Sequence, residues 1–226
     1  MTLFNNRSQA GSMLAKKLEH LKSDPNVLIL ALPRGGVPVA YEIARNFSLP
    51  LDILIVRKLG VPGHEELAMG AIASGGAVFL NHDIIFQLAI DKKQIEKVTE
   101  REQAELARRE KVYRTNKAPI SISGKSVVIV DDGIATGATI KAAIQSLREK
   151  KPESISVAVP VAPFTAIDEL QRFADEVICL YTPEPFGGVG IWYRDFGQVS
   201  DSEVLELLLK CSSKIPMKNQ EQSTQL

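Results

Sequence analysis

Short apolar runs alternate along this chain with stretches in which apolar residues recur every three or four positions. The runs lie at 27–32, 51–58, 126–130, 155–161 and 176–181. Continuous apolar runs of this length are typical of strands that are buried on both faces, as in a parallel sheet. The stretches between them have the spacing of helices with one apolar face. The alternation predicts an α/β fold with a doubly wound, mostly parallel sheet.

Local signals place some of the helix starts. Ser8 is the predicted N-cap of a first helix, and a second helix is predicted over 37–46. Thr165 and Asp168 have the spacing of a capping box, which predicts the start of a helix after the run at 155–161.

Two segments depart from this alternation. A glycine- and proline-rich stretch leads into two apolar pieces joined by Ser74-Gly75-Gly76, which predicts a hairpin. Residues 91–114 are densely charged, with a narrow apolar seam at Ile95, Val98, Leu106 and Tyr113. That pattern predicts a long helix that is mostly solvated and suits a lid, a subunit interface of a homodimer, or an ordinary exposed face.

Composition excludes some classes of partner. Lysine and arginine number 27, as do aspartate and glutamate, so the formal net charge is zero and we expect no binding to nucleic acid or membrane. Cys179 and Cys211 have no neighbour at metal-ligand spacing, and we interpret them as reduced thiols. No apolar segment has the length of a membrane span or the form of a signal core, so a cytoplasmic location is expected.

The stretch "SVVIVDDGIATGAT" at 126–139 carries the clearest chemistry. In an open α/β sheet, ligands bind where strands end, and Asp131 and Asp132 directly follow a predicted strand. Adjacent carboxylates suit a partner with hydroxyl groups or a cation, and ribose and Mg²⁺ both fit. The segment 135–139 combines small side chains with two hydroxyls at a predicted helix start, as in a phosphate-binding loop. A solvated turn is the alternative, and the Walker and dinucleotide fingerprints do not match.

This stretch resembles the motif of type I phosphoribosyltransferases that binds phosphoribosyl pyrophosphate (PRPP). The resemblance implies that Asp131 and Asp132 hold the ribose hydroxyls, and contact Mg²⁺ through those hydroxyls or water. It also implies that the 5-phosphate lies against Ala135, Thr136, Gly137, Ala138 and Thr139. The chain further resembles a bacterial group of predicted phosphoribosyltransferases whose acceptor is not settled.

The resemblance also implies a loop for the pyrophosphate leaving group. Arg34, Gly35 and Gly36 follow the first strand, at the family's position for this loop, and supply a positive charge with backbone donors. Arg57 and Lys58 end the predicted second strand, and the resemblance makes Arg57 a candidate to bind PRPP and Lys58 a candidate catalytic residue that stabilises the departing pyrophosphate. They lead into "LGVPGHEE", which resembles the mobile catalytic loop of adenine-type enzymes. Such a loop closes over the reacting sugar and excludes water.

Three side chains of this loop, His64, Glu65 and Glu66, are candidates to reach the acceptor as an acid or base. Ala135 stands where the 6-oxopurine enzymes carry an aspartate, which favours the adenine-type motif. The segment "PEPFGGVGIWYRDF" instead resembles the base-binding segment of the 6-oxopurine enzymes, where an aromatic side chain stacks on the base. Phe186 and Trp192 are the candidates here, although aromatic residues in such a segment are as often part of a core.

Taken together, these residues predict a Mg²⁺-dependent enzyme that transfers ribose 5-phosphate from PRPP to a purine-like base and releases pyrophosphate. The predicted domain spans 1–211, with a helical insertion at about 83–118, a hood at about 182–200 together with the N-terminal helix, and a disordered tail at 212–226. Two alternatives stay open. One is a sensor that binds PRPP or a nucleotide without turnover, and the other is an enzyme whose acceptor is not a nucleobase.

Overall fold

A computed structural model describes residues 2–74, 76, 78–114 and 119–212, with the side chains of Glu66 and Ser212 left undescribed. The tail predicted to be disordered therefore lies outside the described residues, apart from the backbone of Ser212. Within the described part of the chain, no helix combines the length and the apolar character that a membrane span needs.

The described residues form eight strands and seven α-helices. The strands are β1 (Val27–Ala31), β2 (Leu51–Ile53), β3 (Val56–Val61), β4 (His64–Ala73), β5 (Val78–Leu80), β6 (Ser126–Val130), β7 (Ser154–Val161) and β8 (Glu176–Tyr181). The helices are α1 (Arg7–Lys17), α2 (Gly36–Phe47), α3 (His82–Gln87), α4 (Lys92–Arg114), α5 (Ala138–Arg148), α6 (Phe164–Leu170) and α7 (Asp201–Ser212).

Five of the strands form one parallel sheet in the order β2-β1-β6-β7-β8, which confirms the predicted α/β class. All side chains of β1 are buried, because the sheet is covered on both faces. Residues of α1, α2 and α7 share one apolar cluster with alternate positions of β1 and β6. Residues of α5 and α6 share the opposite cluster with the remaining positions.

The prediction of a single strand over 51–58 is wrong. β2 ends at Ile53, and β3 begins at Val56 in a separate antiparallel sheet with the order β3-β4-β5. The amide of Leu54 still donates to Ala31 of β1, but the amide of Ile55 donates to the hydroxyl of Ser74. The apolar run is continuous because both sheets bury it, so hydropathy alone cannot mark the change of sheet. The hairpin predicted through Ser74 is confirmed as β4 and β5.

Two predicted helix caps are wrong. Asn6, rather than Ser8, caps α1, and its side-chain oxygen accepts from the amide of Gln9 at 2.9 Å. The helix predicted to open with Thr165 begins one residue earlier, after Pro163, and no side chain caps it. At the start of α1, both Asn6 and Ser8 are residue types that cap helices, and the path of the preceding chain decides which one is used.

The charged segment forms one helix, α4, as predicted. Its buried side chains are Val98, Glu102, Leu106 and Tyr113, so three members of the predicted seam are buried. α4 contacts β3, β4 and α7. The chain between β2 and β6 therefore contains three antiparallel strands in addition to α3 and α4.

Candidate active site

The candidate site lies where the path of the chain reverses across the parallel sheet. β1 and β6 are neighbours in register, with Ala31 opposite Val130. From β1 the chain proceeds through α2 to β2 on one side, and from β6 it proceeds through α5 to β7 on the other. Open α/β sheets bind ligands beyond the carboxyl ends of two such neighbouring strands, where the chain leaves them in opposite directions. The loop after β1 is the predicted pyrophosphate loop, and the loop after β6 begins with the predicted ribose-binding aspartates.

The loop after β1 packs directly on the aspartates. A methyl group added at Gly35 would collide with the carboxylate of Asp132, and one added at Gly36 would lie 2.5 Å from the carbonyl oxygen of Val130. Any larger side chain would therefore separate the two loops. The glycines of the "PRGG" stretch allow the backbone after β1 to approach the carboxylates closely.

Asp131 and Asp132 are partly buried and interact with each other. The amide of Asp132 donates to Oδ1 of Asp131 at 2.8 Å. Burial, followed by the negative charge of Asp132, raises the pKa of Asp131 well above its ordinary value. Burial likewise raises the pKa of Asp132, against the opposing effect of Arg7. The pair therefore favours a partner that supplies hydrogen-bond donors or positive charge.

That opposing charge comes from Arg7, which the sequence analysis missed. Its Nε donates to Oδ2 of Asp132 at 2.7 Å, and one terminal nitrogen donates to the carbonyl of Gly197 at 2.8 Å. The guanidinium lies 3.9 Å from the centre of the Phe196 ring. The buried carboxylate pair was a signal that a cation is needed, but nothing local identifies a residue 125 positions away as its source.

The segment around 186–197 covers the loop that carries the aspartates. The Tyr193 hydroxyl donates to the backbone carbonyl of Asp132 at 2.5 Å, and a methyl group at Gly133 would lie 2.5 Å from the Val189 side chain. The chain before α1 pairs with the same segment, since the amide of Phe4 donates to the carbonyl of Trp192. The N-terminal segment and the hood region thus lie together over the carboxyl end of β6.

Phe186 and Trp192, the predicted stacking residues, contact each other. The indole N–H of Trp192 donates to the carbonyl of Phe186 at 2.9 Å, and their ring centres are 6.5 Å apart. Both are partly buried against a small cluster that includes Phe4 and Tyr193. The indole N–H is therefore used within the hood, and only the ring faces are left for a planar ligand.

The predicted phosphate loop is open to solvent. Ala135, Thr136, Ala138 and Thr139 are at least partly exposed, and Gly137 has a φ of 75° where α5 begins. No side chain caps this helix. The first amides of a helix have no partner within it, so the start of α5 presents free N–H groups to an anion.

Arg57 and Lys58 do not lie where the sequence analysis placed them. Both belong to β3 of the antiparallel sheet rather than to the end of a parallel strand. Arg57 pairs with the buried carboxylate of Glu102 on α4, with nitrogen–oxygen distances of 2.6 and 2.8 Å. Lys58 is exposed. The ion pair joins the hairpin of β3 and β4 to α4.

The two acid–base candidates with described side chains lie at the tip of that hairpin. His64 and Glu65 begin β4 directly after the turn at Pro62-Gly63, and both are exposed. A methyl group at Gly60 would lie 2.7 Å from the carbonyl oxygen of Glu65, so a glycine there permits close pairing of the two strands. The predicted mobile loop is thus a β-hairpin in this structure.

A family model described as the phosphoribosyl transferase domain matches residues 4–180. A Mycobacterium tuberculosis protein provisionally named a phosphoribosyl transferase is 46% identical over 92% of this chain and 47% of its own length. The chain thus spans about half the length of these curated relatives. A uracil phosphoribosyltransferase from Mycoplasma genitalium is 39% identical over 27% of this chain and 30% of its own length.

Among solved structures, the protein TT1426 from Thermus thermophilus is similar, with a TM-score of 0.84 and 39% identity. The match covers 93% of this chain and 99% of that one. This chain belongs to the phosphoribosyl transferase domain family, as its motif predicted. The family and the α/β fold are therefore confirmed, whereas the individual site residues stay predictions.

Proposed function

We propose, on the premise of this family membership, that the protein transfers ribose 5-phosphate from PRPP to a nitrogenous, purine-like base and releases pyrophosphate. One observation carries the proposal. The Arg34-Gly35-Gly36 loop packs on the Asp131–Asp132 pair at the switch point of the sheet, so a pentose bound by the carboxylates would have its leaving group beside Arg34. The open start of α5 follows the same aspartates along the chain and is suited to bind the 5-phosphate.

In this proposal the residues share the work of one displacement. The bond from the anomeric carbon to the pyrophosphate oxygen breaks, and its electron pair leaves with pyrophosphate beside Arg34. Positive charge develops on the sugar ring and is stabilised by the carboxylates of Asp131 and Asp132. A ring nitrogen of the acceptor adds on the opposite face, with inversion. Its proton passes to a base on the hairpin, for which His64, Glu65 and Glu66 are the candidates.

Mg²⁺ fits the donor set of this site. Within the described residues, no cluster of three histidine, cysteine or acidic side chains could hold a metal by itself. Two adjacent carboxylates nevertheless remain, and Mg²⁺ is commonly bound by one or two carboxylates together with substrate phosphates and water. Asp131 and Asp132 would hold the ion through ribose hydroxyls or water, and the ion would supply charge neutralisation to the leaving pyrophosphate.

The acceptor site is proposed to lie under the hood. The half-buried rings of Phe186 and Trp192 offer apolar faces close to the loop after Asp132, and planar heterocycles stack on such faces.

We also propose a cytoplasmic location, which suits a chain whose Cys179 and Cys211 are both free thiols. Assembly as a homodimer is proposed as well, and light scattering of the purified protein tests it.

A pyrophosphate-release screen tests the function. The chain is incubated with PRPP, Mg²⁺ and each member of a panel of purine and pyrimidine bases. The double variant Asp131→Asn/Asp132→Asn is compared with Asp168→Asn, an exposed aspartate on α6 that pairs with Arg172. We expect turnover with at least one base, a loss on the order of 10³-fold in the double variant, and no change in the control. PRPP binding without turnover on any base would instead indicate the sensor, and release that the double variant retains would contradict the assigned roles.

A further inference from the structure

Helix α4 reaches the predicted pyrophosphate loop and forms a pocket with it. The pocket has a volume of about 200 Å³ and is lined by Arg34, Arg108, Arg109, Val112, Tyr113 and Asp201. Four of these six residues belong to α4, which lies in the predicted helical insertion. Arg34 is the residue directly before Gly35, so the pocket adjoins the place where the loop meets Asp132.

Positive charge dominates the lining. Three guanidinium groups face one carboxylate, that of Asp201. Arg108 and Arg109 are oriented by a shared acceptor on their own helix, because each donates from Nε to Glu105 at 2.8 Å. With Glu105 included, three positive charges still exceed two negative ones. An arginine cluster in this arrangement is typical of sites for phosphate groups.

Arg34 is only loosely paired in this pocket. Its terminal nitrogen lies 3.8 Å from Oδ1 of Asp201, beyond hydrogen-bonding distance. That same oxygen accepts the hydroxyl proton of Tyr113 at 2.6 Å. The carboxylate of Asp201 is thus held by the tyrosine, so the contacts among the described residues leave most donors of the Arg34 fork available to another acceptor.

We infer that Arg108 and Arg109 of α4 bind, together with Arg34, the diphosphate of the substrate and the pyrophosphate product. This inference rests on the proposed function, because it takes the ribose to lie on Asp131 and Asp132. The diphosphate of a ribose held by the aspartates would lie beside Gly35 and Arg34. The next cations in the pocket are Arg108 and Arg109 of α4. The insertion helix then acts as one wall of the leaving-group site, and Asp201 competes with the anion for Arg34.

Calorimetric titration of the full chain with two probes tests this inference. Inorganic pyrophosphate with Mg²⁺ reports on the arginine pocket, and ribose 5-phosphate reports on the aspartates and the start of α5. We expect Arg108→Gln/Arg109→Gln to weaken pyrophosphate binding by about tenfold or more and to leave ribose 5-phosphate binding unchanged. Lys97→Gln, an exposed charge on the same helix outside the pocket, should change neither.

A second variant, which should raise the affinity for pyrophosphate, covers the case in which the arginine variant fails to fold. Asp201→Asn removes the competing charge but keeps an oxygen that can accept from Tyr113, so pyrophosphate should bind severalfold more tightly. Pyrophosphate that binds the folded arginine variant as tightly as the wild type, or weaker binding by Asp201→Asn, would overturn the inference. Failure of the wild type to bind ribose 5-phosphate would overturn the proposed function itself.

Discussion

Replacement of Gly35 by alanine tests the packing of the two loops on each other. Gly35 has a φ of −61° and a ψ of −35°, which any residue adopts, so alanine introduces no backbone strain there. The added methyl group would collide with the Asp132 carboxylate and lie 2.6 Å from its Cγ atom, whereas ordinary contacts are about 3.5–4.0 Å. The carboxylate or the loop must therefore move by about 1 Å or more.

Two consequences follow from a displacement of this size. Overpacking of this kind costs about 1–3 kcal/mol of unfolding free energy, which corresponds to a fall in Tm of about 2–12 °C for a chain of this length. Misplacement of a catalytic group by about 1 Å costs about 100-fold in rate, so kcat/KM for PRPP should fall by about that factor. Thermal unfolding and the pyrophosphate-release assay measure the two effects.

Gly124→Ala is the matched control. Gly124 lies in the turn before β6, at the opposite end of that strand from the aspartates, and has a φ of 68° with open space around it. Alanine there should cost about 1–2 kcal/mol through backbone strain but leave kcat/KM unchanged. If Gly35→Ala loses stability without losing activity, or both variants lose activity equally, the loop contact does not position the carboxylates.

Three other predictions concern the same site. Asp131 has a raised pKa in the fold, so the folded chain keeps a proton that the unfolded chain releases above about pH 3.8. This proton stabilises the fold below that pH, and the stabilisation is lost as the pH rises through the raised pKa. Asp131→Asn should therefore raise Tm at about pH 8, and the gain in Tm should shrink as the pH falls to about 4. A gain in Tm that does not depend on pH would contradict the raised pKa of Asp131. Arg7→Gln should lower the free energy of unfolding in urea by about 2–4 kcal/mol, because it leaves a partly buried carboxylate without its cation, and Arg7→Lys should recover part of the loss; equal stability of Arg7→Gln and the wild type would show that the ion pair contributes nothing. Chelation of Mg²⁺ should abolish turnover but leave the Tm of the unliganded chain unchanged, because the described residues form no metal cluster of their own; a lower Tm in chelator would indicate a structural metal.

Local patterns in the sequence were sufficient for the strands of the parallel sheet and for the motif at its edge. The runs at 126–130 and 176–181 are strands with those bounds. The first is buried almost throughout, as a continuous apolar run predicts, whereas the second is the edge strand of the sheet and its side chains are only partly buried. The position of Asp131 and Asp132 follows directly, since residues after a parallel strand lie at its carboxyl edge. The long charged helix was likewise predictable from its period.

The change of sheet after Ile53 was not predictable in this way. Both the parallel and the antiparallel sheet bury apolar side chains, so the same run of residues satisfies either. Arg57 was assigned to the substrate for the same reason, whereas its partner is Glu102, 45 positions further along the chain. Helix α7 also escaped the sequence analysis, although Asp201 at its start lines the arginine pocket.

The sequence by itself determined four of the five strands of the parallel sheet and where the carboxylate pair must lie, because hydropathy period and strand direction are local properties. Only the tertiary structure decided which cations face those carboxylates and which face the predicted pyrophosphate loop. Arg7 reaches Asp132 from the first helix, and Arg108 and Arg109 reach the pocket of Arg34 from α4. The charge of a side chain is written in the sequence, but the attraction between two charges depends on their distance and burial, and packing alone sets both.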